Sequence, residues 1–153
     1  MNRKRWISII LTMEIVIVIA SISMFLWNFC HLGTSEAETI KLNWNIDLTA
    51  GSEDIYYKDI GPSFHGDGSR ISVMKYPDFD AVEKIVNWQD SPNKEVESKV
   101  SDILTNELQI DAKYMPDFKT PYKYYCYKKD SLNTIYLIYK PSENYLYAVE
   151  DLY

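Results

Sequence analysis

Tyr122-Lys123-Tyr124-Tyr125-Cys126-Tyr127-Lys128, Thr134-Ile135-Tyr136-Leu137-Ile138-Tyr139-Lys140 and Tyr145-Leu146-Tyr147-Ala148-Val149-Glu150 are three short runs rich in aromatic and β-branched residues. Asp130-Ser131-Leu132-Asn133 and Pro141-Ser142-Glu143-Asn144 divide them. Runs of this length and composition, bounded by turn formers, read as strands joined by tight loops. The chain is therefore expected to end in an antiparallel meander. Everything upstream is read by how it would cover or extend that sheet.

Working back from the meander, Tyr114 to Pro121 is irregular, with prolines at Pro116 and Pro121. Ser91-Pro92 offers a cap and a first-turn proline, and Val96, Val100, Ile103 and Leu104 follow at helical spacing, extending to Leu108. Asp78 reads as the N-cap of an earlier helix, with Phe79, Val82, Ile85 and Val86 on one face and an end near Trp88. Before it, Ser69 to Tyr76 reads as a strand and Asp54 to Ile60 as a strand or an extended loop, the two separated by Gly61-Pro62 and the turn Phe64-His65-Gly66-Asp67-Gly68. Ile40, Leu42, Trp44, Ile46 and Leu48 alternate with polar residues, so Ile40 to Leu48 reads as a half-buried strand. The expected order is β-β-β-α-α-β-β-β, an α+β domain over 39–153 with helices covering one face of a mainly antiparallel sheet.

The other end of the chain is a different material. Arg3, Lys4 and Arg5 precede an apolar run from Trp6 to Phe29, flanked by Trp6 and Trp27. A bilayer needs about 20 apolar helical residues, and cationic flanks stay on the cytoplasmic side. The expectation is a cytoplasmic segment 1–5, a transmembrane signal anchor 6–29, a linker 30–38 and an extracytoplasmic domain. Localisation would be the cell membrane, single-pass, with the N-terminus inside. Glu14 interrupts the run; a carboxylate there either meets a partner helix or lies off-centre. Ser35-Glu36-Ala37 supplies small residues for a signal cleavage after Ala37, the alternative to a retained anchor. Large residues before Cys30 speak against lipidation of that thiol.

From Glu38 onward the chain has 13 Lys and Arg against 20 Asp and Glu, a balance of −7, and contains all 13 tyrosines. That charge argues against nucleic acid as a partner. Cys126 is the single cysteine of this part, so no internal disulfide framework is possible. No Gly-x-Ser-x-Gly, phosphate-cradling loop or zinc spacing occurs. No catalytic residue set, metal or cofactor is expected.

Two places carry candidate chemistry. In the first, His65 and Asp67 lie in a Gly-bearing turn with Arg70 just beyond. A ring that titrates near neutrality beside a carboxylate could hold a ligand or serve acid–base chemistry, whereas Asp-Gly is equally the signature of a plain hairpin turn. In the second, strand alternation puts Tyr125 and Tyr127 on one face and Tyr122 and Tyr124 on the other with Cys126. An aromatic sheet face can grip a glycan or a protein. It can also simply pair across strands.

Phe64-His65-Gly66-Asp67-Gly68, followed by a strand and then a helix ending at Trp88, resembles a group of small membrane-anchored or secreted proteins of Gram-positive bacteria. The resemblance spans Ile60 to Trp88 and, loosely, the terminal meander. It implies a Gram-positive cell-surface setting and carries no activity. The sequence thus leads to a non-enzymatic binding or accessory module, its partners the membrane through 6–29 and a surface or secreted protein or wall component. The alternative is a small hydrolase or metal-binding protein centred on His65 and Asp67.

Overall fold

A computed structural model of the chain describes residues 13–24, 35–60, 68–90 and 92–153. The chain divides into two units, Met1–Thr34 and Ser35–Tyr153. In the first, residues 13–24 form a helix with its side chains exposed, Glu14 among them. Among the described residues no helix is long and apolar enough to cross a membrane. This corrects the expected transmembrane anchor over 6–29 and, with it, the single-pass membrane localisation.

The second unit is built on five antiparallel strands: β1 (Glu53–Asp59), β2 (Gly68–Lys75), β3 (Lys123–Lys128), β4 (Thr134–Lys140) and β5 (Tyr145–Leu152). Their order across the sheet is β1-β2-β5-β4-β3. The expected terminal meander is present, with Tyr125 opposite Leu137 and Leu137 opposite Ala148. β5 is the central strand, and β4, between β5 and β3, has every one of its residues buried. β1 closes one edge with an irregularity between Asp54 and Tyr56, a device that twists an exposed edge away from unwanted pairing. β3 forms the other edge.

The strand expected over Ile40 to Leu48 is instead mostly a helix, α1 (Glu36–Trp44). Ser35 and Glu38 form a capping box: the Ser35 hydroxyl accepts from the Glu38 N–H (3.2 Å) and the Glu38 carboxylate accepts from the Ser35 N–H (3.1 Å). Ile40 and Trp44 are four apart, a spacing common to strand and helix periodicity. Leu42 separates the two readings, and it is 79% exposed. Asn45 then stops the helix in the left-handed conformation (φ 56°), which asparagine tolerates. Only Ile46 and Leu48 keep the alternating, buried pattern.

The helix expected from Asp78 to Trp88 is a series of turns. Asp78 does cap, accepting from the Ala81 N–H (3.2 Å). The Val82 carbonyl, however, accepts from the Trp88 indole N–H (2.9 Å) and the Ile85 N–H (3.1 Å), not from Val86 as a continuing helix would require. The second expected helix is found as α2 (Lys94–Asp102), capped by Asn93 and prolonged by a π-helical turn over Ile103–Glu107. Its stripe of Val96, Val100, Ile103, Leu104 and Leu108 is buried.

Cover comes on both faces of the sheet, not on one. Ala37, Ile40 and Trp44 of α1 pack with Ile135, Leu137, Tyr139, Leu146 and Ala148. The α2 stripe packs with Tyr136, Ile138, Tyr147 and Val149 from the opposite face. Alternate residues of β4 and β5 therefore serve two separate cores, which is why both strands read as nearly continuous apolar runs.

Candidate binding site at the β3 edge

The two-residue period of β3 aims Tyr125 and Tyr127 to the α1 side and Tyr124, Cys126 and Lys128 to the α2 side. On the α1 side a groove of about 410 Å³ opens between β3 and the turns at 84–87, bordered by Trp44, Lys84, Ile85, Asn87, Tyr125 and Tyr127. The Tyr125 and Tyr127 rings lie nearly parallel (10°), and Trp44 meets Tyr127 edge-on, with centroids 6.4 Å apart. Tyr127 is 40% exposed. Burial pushes the Tyr125 hydroxyl up from its ordinary pKa, with Tyr127 and Cys126 adding to the effect. This hydroxyl therefore stays protonated and available as a donor.

On the α2 side a second groove, about 530 Å³, is floored by Cys126, Lys128, Thr134, Tyr136 and Asp151, with α2 as its wall. Burial raises the Cys126 thiol, Glu95 adding and Lys128 opposing. A thiol held protonated is a poor nucleophile. Burial raises the Asp151 carboxyl as well, with Glu107 adding and Lys99 opposing. Its Oδ1 is buried with no hydrogen-bond partner among the described residues.

The backbone between these grooves is partly open. Gln89 forms an isolated antiparallel bridge to Tyr124: the Gln89 N–H donates to the Tyr124 carbonyl (2.8 Å) and the Tyr124 N–H to the Gln89 carbonyl (2.9 Å). Tyr124 thus points its backbone groups away from β4, and by the alternation of antiparallel ladders Cys126 and Lys128 do the same. Residues Cys126 to Lys128 are exposed. Among the described residues no backbone group pairs with Cys126 or Lys128 on that outer side.

Arg70 lies elsewhere. It is on β2, three strand spacings or about 14 Å from β3. Its Nε is 3.5 Å from Oε2 of Glu150, which is 1% exposed. The Trp44 indole N–H donates to the other Glu150 oxygen (2.5 Å). Burial holds the Glu150 carboxyl above its ordinary value, with Trp44, Arg70 and Asn43 opposing. Arg70 is thereby engaged with a buried carboxyl rather than free for a ligand. Buried Lys140 is also fully engaged: its ammonium donates to the Asp117 carbonyl and to the carbonyl and hydroxyl of Thr120.

His65 and Asp67 lie outside the described residues. Glu14 belongs to the separate helical unit at 13–24. Among the described residues no group of three or more His, Cys, Asp or Glu side chains could hold a metal ion. The structure thus joins Tyr125 and Tyr127 in one groove and separates them from Arg70. Trp44, Lys84 and Asn87 were missed as site residues, since all three reach the groove through segments read as a strand and a helix. The capping box at Ser35 and Glu38 was the available signal for Trp44. No family model, no curated protein and no solved structure matches the chain.

Proposed function

We propose that the Ser35–Tyr153 domain is a non-enzymatic binding module whose ligand, a protein segment or a wall component, lies in the aromatic groove beside β3. The observation that carries this reading is the set of Trp44, Tyr125 and Tyr127 around one open groove at a sheet edge. Flat rings held by their neighbours present apolar area with little conformational entropy to lose on binding, and a hydroxyl or indole edge for hydrogen bonds. Neither groove brings together an activated nucleophile and a base. The Cys126 thiol is held protonated, and the buried Glu150 is spent on Trp44 and Arg70.

The test is a titration of the full chain with two probes. One is a tetrasaccharide alternating N-acetylglucosamine and N-acetylmuramic acid. The other is an end-blocked heptapeptide alternating glutamate and tyrosine. Saturable binding of one of them is expected, weakened at least about tenfold by Tyr127→Ala, a loss of about 1.4 kcal/mol. If neither binds, or if Tyr127→Ala binds as tightly as the wild type, the groove is not the ligand site.

A further inference from the structure

Resting on that binding reading, we infer that the ligand is an extended, acidic polypeptide segment that adds to the sheet as a sixth strand along β3. Three independent features converge on this mode.

The first is the backbone. Cys126 and Lys128 present N–H and C=O groups outward with no partner among the described residues. A sheet edge recognises another extended backbone, and main-chain bonds of this kind supply affinity in strand addition. The chain already uses the edge this way once, through the antiparallel bridge of Gln89 to Tyr124. Upstream of Gln89 the chain turns away through Trp88 to Ile85. An added strand would take up the edge where that segment leaves it.

The second is the pair of grooves. They lie on opposite faces of the same strand, one beside Tyr125 and Tyr127, the other beside Cys126 and Lys128. Side chains of an added strand alternate with the same period, so successive residues enter opposite grooves. A glycan carries no main-chain row of N–H and C=O groups to pair in register with the strand edge.

The third is charge. In a domain of balance −7, Lys84 is the charged residue lining the aromatic groove, and Lys99 and Lys128 line the second groove together with Glu95 and Asp151. Lys128 and Lys129 follow at the hairpin end of β3. Acidic side chains on the incoming strand enter the second groove toward Lys99 and Lys128, with aromatic or apolar ones directed to Trp44 and Tyr127 in the first. A second copy of this chain would instead bring the same lysines against one another, in a complex of two acidic domains.

Calorimetric titration of the full chain with the same end-blocked heptapeptide tests the inference. Since the Cys126 N–H faces outward, Cys126→Pro removes a docking donor without removing a β3–β4 ladder bond. Cys126→Ala keeps the donor and controls for the side chain. The expected result is equal binding by wild type and Cys126→Ala, and at least about tenfold weaker binding by Cys126→Pro. The heptapeptide N-methylated at alternate residues should not bind, an arm that holds even if Cys126→Pro fails to fold. Binding by the N-methylated peptide as tight as by the parent would overturn strand addition. If Tyr127→Ala still abolished binding in that case, the aromatic groove would stand without it. If Tyr127→Ala were also silent, both readings would fall. Binding of the tetrasaccharide alone, or a dimer in sedimentation that Cys126→Pro dissolves, would likewise overturn the acidic-peptide assignment.

Discussion

Trp44 joins two features that are otherwise apart. Its indole N–H donates to Glu150 inside the core, and its ring edge meets Tyr127 at the surface. Glu150 is the costlier partner, because burial opposes its charged form. With the folded-state pKa above the ordinary 4.5, its contribution to stability is fully present below 4.5 and is lost as pH rises through the folded-state value. Glu150→Gln keeps an acceptor for Trp44 and stays neutral at every pH. Thermal unfolding from pH 4.5 upward should therefore show the melting temperature of Glu150→Gln rising relative to wild type. A difference that stays flat or falls across that range would mean that burial does not raise the Glu150 carboxyl.

Among the elements, α1 is where periodicity alone misleads. Ile40, Trp44, Ile46 and Leu48 are buried under either reading of the segment, so their pattern cannot tell helix from strand. Leu42 and the capping box can. Leu42→Lys is expected to change stability by no more than about 0.5 kcal/mol, as for an exposed site, while Ile40→Ala costs about 2–5 kcal/mol. Urea unfolding of the two variants checks this; equal losses would restore the strand. The meander was legible because its strands carry aromatic and β-branched runs between clear turns. The stripe of α2 was legible because five apolar residues hold helical spacing. The 79–88 segment was not, because the Trp88 indole takes the Val82 carbonyl six residues back, a side-chain bond that hydrophobic periodicity does not encode. Of the candidate site, Tyr125 and Tyr127 were readable from strand alternation. Trp44, Lys84 and Asn87 depended on how distant turns fold back.

For the whole molecule, the consequential feature is the asymmetry of the sheet. Both faces are covered, and one edge is broken by the irregularity in β1. The other edge is closed by Gln89 at Tyr124 and then left open at Cys126 and Lys128. An open edge is normally a liability that proteins charge, shorten or cover. Here it runs between two grooves on opposite faces of one strand, so the same edge can serve recognition. The helix at 13–24 belongs to a separate unit.

Amide hydrogen exchange on the full chain, with and without the glutamate–tyrosine heptapeptide, tests the central claim most directly. Cys126 and Lys128 have outward amides and should exchange readily alone, then become protected when the peptide is bound, while Tyr125 and Tyr127, bonded to β4, stay protected throughout. Unchanged exchange at Cys126 and Lys128 with saturating peptide, or protection confined to another part of the domain, would contradict recognition at the β3 edge.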